Sequence, residues 1–193
     1  DNEVTDAYLD KIAFRPALKK RIKELMNYER VSAPSKHGDY QYFFKNDGLQ
    51  NHSVLYRVPV SKPDAEPEVF LDPNTFSADG TTGLTDIEFS EDGTLAAYLI
   101  TEGGSDWRKV IVIDTATKKQ LETPLEDVKF SGLAWRGNHG FYYSSYDNPD
   151  KADGSQLSSK THEHKLMYHV LGTPQSQDKL VFGGSDRPTR YVG

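Results

Sequence analysis

Residues 89–98 read FSEDGTLAAY, and this stretch decides the fold. Its Asp92-Gly93 pair lies between two strand-forming runs, which is the strongest short-range signal of a β-hairpin. Residues 135–142, WRGNHGFY, repeat the arrangement, with Trp135 in the place of Phe89, a glycine-containing turn and a second aromatic strand. The two segments therefore predict a hairpin that recurs along the chain.

The strands around these hairpins also recur. An apolar strand at residues 54–58 (VLYRV) returns at equal intervals at 110–114 (VIVID) and 166–170 (LMYHV). The apolar strand recurs every 56 residues and the hairpin after 44, from Tyr98 to Tyr142. A period of roughly 40–50 residues, stretched by loops, with about four strands per unit is typical of β-propeller blades. A β-sandwich would contain similar strands without this recurrence. Further strands are predicted at residues 41–44, 68–71, 87–89, 95–100, near Leu121, and at 133–135, 141–145 and 179–182.

The fold prediction is therefore all-β: an incomplete β-propeller of about three four-stranded blades, preceded by an amino-terminal helix. Three units cannot close a propeller, which needs about four to eight blades. We therefore expect the chain to be part of a longer protein. The polar, turn-rich segments 59–67 and 147–161 are interpreted as surface loops.

The amino-terminal helix is predicted over residues 6–30. Pro16 suits a first helical turn, where its missing N–H costs nothing. Apolar residues at helical spacing form one stripe, and basic residues cover the other faces as a solvated surface. The stripe consists of Leu18, Ile22, Leu25 and Met26.

Composition excludes several classes of function. The net charge is −6, which argues against a nucleic-acid partner. There is no cysteine, so neither disulfides nor thiol chemistry are available. No apolar run approaches the roughly 20 residues of a membrane helix, and we expect no membrane partner. An acidic start argues against a signal peptide, and the compartment, cytoplasmic or periplasmic, stays open.

The sequence lacks the spacing of the catalytic and metal-binding motifs that its serine, histidine and acidic residues could form. No Gly-x-Ser-x-Gly elbow occurs, and the near-misses at Ser105 and Ser185 are followed by Trp107 and by Arg187-Pro188, too bulky or rigid for an elbow. His162 and His164 lack the spacing of a zinc motif and are interpreted as a solvated loop. The acidic residues Asp147, Asp150 and Asp153 lack the alternate spacing of a calcium loop. We expect no metal, no cofactor and no catalytic residue in this chain.

A specific family resemblance emerges at residues 43–51, FFKNDGLQN, which are similar to the first-blade segment of prolyl oligopeptidases. Further segments follow in the family's order and extend the resemblance over essentially the whole chain. They are MNY at 26–28, VFLDPN at 69–74, FSEDG at 89–93, GSDW at 104–107, VKFS at 128–131, YSSY at 143–146 and YHVLGT at 168–173.

The resemblance implies a serine endopeptidase that cleaves short peptides after proline. In that family a seven-bladed propeller gates an α/β-hydrolase domain that carries the catalytic triad. Residues 1–31 would then be a helical segment packing with the hydrolase domain, and 32–193 a partial propeller, roughly blades one to three. The implied partners are the chain's own hydrolase domain and short proline-containing peptides.

Two residues of this chain match family positions that have a role in substrate binding, and the resemblance implies the same roles here. Phe130 matches a propeller phenylalanine that lines the substrate pocket, and Asp106 matches an acid that pairs with a substrate-binding arginine of the hydrolase domain. The alternatives are a plain core aromatic for Phe130 and a turn residue bonding its own backbone for Asp106. Gly132 departs from relatives with a larger residue there, so the pocket wall can differ.

Three functions remain open from the sequence. The first is part of a prolyl oligopeptidase, inactive alone. The second is a stand-alone propeller-type binding module without catalysis. The third is an unrelated all-β adhesion or sugar-binding domain, which the family motifs disfavour.

Overall fold

The computed structural model describes residues 2–147 and 162–191. Two helices come first, α1 (Asn2–Leu9) and α2 (Arg15–Met26). The single helix predicted over residues 6–30 is therefore wrong. Pro16 lies in the first turn of α2, and a proline deep inside a helix would clash with the carbonyl one turn earlier, so the helix restarts here.

Twelve strands within the described residues follow the helices, and they form three antiparallel units in chain order. Unit 1 (residues 30–71) contains β1 (Arg30–Val31), β2 (Ser35–His37), β3 (Tyr40–Asn46), β4 (Val54–Pro59) and β5 (Glu68–Leu71). Strands β1 and β2 both pair with the same edge of β3, and β4 and β5 follow in order. Unit 1 is therefore four strands wide.

Units 2 and 3 share one long strand. Unit 2 (residues 83–128) contains β6 (Gly83–Phe89), β7 (Leu95–Thr101), β8 (Arg108–Asp114) and the first part of β9 (Leu125–Arg136). Unit 3 (residues 131–183) contains the rest of β9, β10 (Gly140–Ser145), β11 (Lys165–Val170) and β12 (Lys179–Gly183). The start of β9 pairs with β8 and its end pairs with β10.

The structure confirms the predicted central strands and corrects two details. The run near Leu121 contributes only a single bridge between Gln120 and Ile113, and the outer strand of unit 2 begins at Leu125. The loop prediction for 59–67 agrees with the turns there. The loop prediction for 147–161, with Asp150 and Asp153, lies outside the described residues except for Asp147.

Unit 2 is buried on both faces because side chains of a strand alternate. In β7, Ala96, Tyr98 and Ile100 pack into a core shared with unit 1. Ala97 and Leu99 pack into a second core shared with unit 3. Strand β8 divides in the same way, which explains why both strands are almost continuously apolar.

Polar contacts also join neighbouring units. Arg57, 4% exposed, donates to the carbonyl of Thr115 across the boundary of units 1 and 2. Trp135 Nε1 donates to the carbonyl of Glu88 at 2.9 Å across the boundary of units 2 and 3. Hydrogen bonding joins the described strands into two sheets, a five-stranded sheet that is unit 1 and a continuous seven-stranded sheet that contains units 2 and 3. The two cores and these polar contacts stabilise neighbouring units.

Candidate functional site

The two carried-over positions lie close together, where β8 pairs with β9. Arg108 and Val128 are register partners at this point. Asp106 is two residues before Arg108, and Phe130 is two residues after Val128. Arg108 also donates to the carbonyl of Ser131 at 3.1 Å, which ties the start of β8 to the segment around Phe130.

Asp106 is exposed at the end of the turn between β7 and β8. This turn is closed by Ser105, whose backbone N–H donates to the Glu102 carbonyl and whose hydroxyl accepts from the Trp107 N–H at 3.1 Å. Among the described residues, none donates a hydrogen bond to the Asp106 carboxylate. The alternative in which Asp106 bonds its own turn is therefore not what the structure shows.

Phe130 occupies an irregular part of β9. Its φ is +50° and that of Asp127 is +58°, although side-chain-bearing residues rarely adopt this region. The pairing of β9 with β10 shifts register nearby, between Tyr143 and Ser145. Such strained backbone clusters at functional sites, where the surroundings hold it in place.

Phe130 is 40% exposed within the described residues. Its ring is nearly perpendicular to the Tyr146 ring, with 6.2 Å between centroids, and the Tyr191 ring lies 6.5 Å away. Tyr146 in turn stacks on His164 at 4.3 Å, with an angle of 5° between the rings. The segment thus presents an aromatic surface with an exposed phenylalanine at its edge.

His164 is 1% exposed, which corrects the interpretation of a solvated loop, while His162 is exposed. Burial lowers the pKa of His164 and favours the neutral ring. Among residues 2–147 and 162–191, no three His, Cys, Asp or Glu side chains come together as a metal site. The His164 ring packs against the rings of Tyr146 and Tyr191.

Sequence reasoning missed Lys129, which is 6% exposed. Its Nζ lies 4.9 Å from the centroid of the Trp107 ring and 5.3 Å from that of Phe130. Within the described part of the chain no carboxylate lies within ion-pair distance of this ammonium. A cation over an aromatic face contributes about 0.5–2 kcal/mol, so the two rings provide charge stabilisation for Lys129. Nothing in the sequence pattern distinguishes this lysine from a surface lysine.

A second polar cluster, also unpredicted, lies between units 2 and 3. The ring of His169 contacts the Asp178 carboxylate at 2.7 Å and the Glu122 carboxylate at 2.9 Å. Asp178 also accepts from the Tyr143 hydroxyl at 2.6 Å. Both ring nitrogens of His169 are engaged by acids and neither contacts a nucleophile, so this cluster connects the units rather than activating a serine.

Neither of the near-miss serines has catalytic surroundings. Ser105 closes its own turn, and Ser185 is exposed in a short 3-10 helix (Gly184–Asp186). In the described ranges no histidine bonds either hydroxyl. The arrangement can therefore present a binding surface, but these serines show no activation.

Neither helix in residues 2–147 and 162–191 has the length and apolar composition needed to cross a lipid bilayer.

Comparison with known proteins identifies the family. The family model described as "Prolyl oligopeptidase, N-terminal beta-propeller domain" matches residues 1–193. The chain is 55% identical over 189 residues to a prolyl endopeptidase of Elizabethkingia meningoseptica, covering 98% of this chain and 26% of that protein. It is 30% identical over 214 residues to a dual-function macrocyclase-peptidase of Galerina marginata, covering 99% of this chain and 28% of that protein.

Solved structures agree with this result. Prolyl oligopeptidase B from Galerina marginata, bound to a 35mer hydrolysis and macrocyclization substrate, superposes with a TM-score of 0.83 at 30% identity. The match covers 96% of this chain and 28% of that structure. The chain thus spans about a quarter of the length of the relatives it matches. The chain belongs to the prolyl oligopeptidase family and forms part of its amino-terminal β-propeller.

Proposed function

We propose that this chain is the propeller part of a serine endopeptidase that hydrolyses short peptides after proline. The observation that carries the proposal is the 55% identity to a prolyl endopeptidase over 98% of the chain. In this proposal the catalytic triad belongs to an α/β-hydrolase domain elsewhere in the protein. The propeller restricts access to short peptides and contributes part of the pocket wall.

Phe130 and Asp106 are the residues proposed to face the substrate and the hydrolase domain. The exposed ring of Phe130 on a strained backbone supports a role in the pocket wall. The exposed carboxylate of Asp106 is available for an arginine of another domain, where a charge-assisted pair would orient the guanidinium. The solved Galerina relative with its bound peptide supports peptides as the ligand class.

The helical segment, residues 1–31, is proposed to pack against the hydrolase domain. Its helix α2 buries no residue against the described sheets. Its apolar stripe is about half exposed: Leu18 50%, Ile22 51%, Leu25 58% and Met26 46%. An apolar face of this kind normally marks an interface.

The direct experiment compares the full-length protein with residues 1–193 alone on a proline-containing chromogenic peptide. We expect turnover only in the full-length protein, sensitive to a serine-directed reagent, because the sequence of the isolated chain contains no Gly-x-Ser-x-Gly nucleophile elbow. Turnover by the purified isolated chain would contradict this assignment.

The pocket assignment is tested with Phe130→Ala in the full-length protein. We expect kcat/KM to fall about tenfold or more, equivalent to about 1.4 kcal/mol of binding lost in the transition state. Phe43→Ala is the matched control, because Phe43 is a half-buried aromatic that stacks on Tyr56 in unit 1. Equal kcat/KM values for the two variants would contradict the assignment of Phe130 to the pocket wall.

A further inference from the structure

Lys129 lies between the two positions that the proposed function uses. Arg108 of β8 and Val128 of β9 are register partners in an antiparallel pair. Trp107, the residue before Arg108, and Lys129, the residue after Val128, are therefore cross-strand neighbours. Trp107 is the residue after Asp106, and Lys129 is the residue before Phe130. Lys129 therefore contacts the Phe130 ring itself and the ring of Trp107, the residue next to Asp106.

The backbone explains how Lys129 reaches both rings. Successive residues of a strand point to opposite faces, so Lys129 and Phe130 would normally diverge. The left-handed backbone of Phe130, with φ +50°, interrupts this alternation. As a result the Phe130 ring lies 5.3 Å from Nζ while the Trp107 ring lies 4.9 Å from it.

The charge of Lys129 makes this arrangement specific. Lys129 is 6% exposed as a residue, and burying a charged side chain is costly unless other groups compensate the charge. Across the described ranges, 2–147 and 162–191, no acid pairs with it, so the faces of Trp107 and Phe130 are the compensating groups in view. Moving either ring away would leave the charge poorly stabilised, and the ammonium therefore restrains both rings.

We infer that Lys129 is a positioning residue that holds the Phe130 ring and the Asp106-bearing turn in one arrangement for peptide binding. This inference rests on the proposed function of Phe130 and Asp106. Lys129 itself does not contact the reacting atoms in this scheme. It acts through the two rings, so its removal should impair substrate binding more than turnover.

The test uses the full-length protein and a proline-containing chromogenic peptide. Lys129→Met keeps the apolar stem and removes the charge, and we expect a fall in kcat/KM of about fivefold or more, chiefly through KM. Lys129→Arg should stay within about twofold, because a guanidinium also stacks on aromatic faces. Trp107→Leu removes one of the two rings and should show the same loss in kcat/KM. This variant tests the inference if Lys129→Met does not fold.

Two controls separate positioning from stability alone. Lys109→Met removes a nearby lysine whose ammonium pairs with Glu102 at the surface, and its kcat/KM should stay within about twofold. In a Phe130→Ala background, Lys129→Met should cause a smaller further loss than in the unchanged protein, because one of the two groups that it positions is gone. A lysine that only stabilises the fold would cause the same loss in both backgrounds and lower the thermal midpoint.

Each outcome decides the inference. If Phe130→Ala impairs kcat/KM while Lys129→Met and Trp107→Leu do not, the inference is overturned and the proposed function stands. Equal losses from Lys129→Met with and without the Phe130 ring also overturn it. If neither Phe130→Ala nor Asp106→Asn affects kcat/KM, the proposed pocket and the inference fail together.

Discussion

The Nε2 atom of His169 in unit 3 lies 2.9 Å from a carboxylate oxygen of Glu122 in unit 2. The other ring nitrogen lies 2.7 Å from Asp178, whose side chain is fully buried. Each ring nitrogen thus faces a carboxylate group, an arrangement that favours the imidazolium, in which both nitrogens donate. Burial opposes this charge, but the Asp178 and Glu122 carboxylates outweigh it and raise the pKa of His169 to about 9.

The first prediction is that high pH weakens the contact between units 2 and 3. The pKa of His169 is raised from 6.5 to about 9 on folding, so its stabilising effect is complete below pH 6.5 and is lost as the pH rises through 9. The whole effect amounts to about 3 kcal/mol. The thermal midpoint of the full-length protein should fall between about pH 7 and about pH 10.

His169→Gln is the control for this pH dependence. Its thermal midpoint should start lower at neutral pH and fall less across the same range, because the titrating group is absent. Burial, and then the Asp178 carboxylate, also raise the pKa of Tyr143, but from 10, so its contribution is lost only above the His169 window. Parallel pH profiles for the two proteins would contradict the prediction.

The second prediction concerns Glu122, whose other carboxylate oxygen accepts from the Gly172 N–H at 2.9 Å. Glu122→Gln removes a negative charge facing a buried imidazolium and should cost about 1–3 kcal/mol of stability at neutral pH. Glu102→Gln is the matched control, because Glu102 forms a surface ion pair with Lys109 and should change stability by about 0.5 kcal/mol or less. Thermal unfolding of both variants measures the two losses, and an equal loss of stability in both would contradict the prediction.

The third prediction concerns the packed turns of units 1 and 2. A Cβ on Gly93 would lie 2.4 Å from the backbone nitrogen of Gly38, and the φ of Gly93 is +73°. Gly93→Ala should therefore cost about 3 kcal/mol or more. Gly103→Ala, at φ +61° with no atom within 4 Å of the added Cβ, should cost only the backbone strain, about 1–2 kcal/mol. Equal thermal midpoints would show that the turns can separate without cost.

The fourth prediction concerns the exposed carboxylate of Asp106. Asp106→Asn in the full-length protein should lower kcat/KM about tenfold or more with little change in thermal midpoint, because it removes a charge meant for another domain. Glu102→Gln, on the same turn, should keep kcat/KM within about twofold. An unchanged kcat/KM for Asp106→Asn would contradict the carried-over role.

The fifth prediction concerns the stripe of α2. Residues 1–193 alone should self-associate, since Ile22 and Leu25 are 51% and 58% exposed and no described element covers them. Ile22→Glu combined with Leu25→Glu should shift the chain toward monomer in sedimentation velocity. Lys19→Glu combined with Lys20→Glu, on the basic faces, serves as the control and should leave association in place. A monodisperse monomer for the unchanged chain would contradict the prediction.

The sequence by itself determined the local elements and their order. Alternating and continuous apolar runs predicted the central strands, and the Asp92-Gly93 turn predicted a hairpin that the pairing of β6 with β7 confirms. Both signals are local, since they depend on residues within one strand or one turn. Ordered family motifs along the whole chain then identified the family. The amino-terminal segment was less predictable, because the stripe alone did not reveal that Pro16 marks a new helix.

The tertiary structure decided which side chains act together. His169 of unit 3 contacts Glu122 of unit 2, and no sequence pattern around either residue predicts a partner so distant in the chain. The left-handed backbone of Phe130 is imposed by the passage of β9 from one unit to the next, since the intrinsic preference of phenylalanine opposes it. Lys129 reads as a surface lysine in sequence, and only the packing of β8 against β9 encloses its ammonium between two rings.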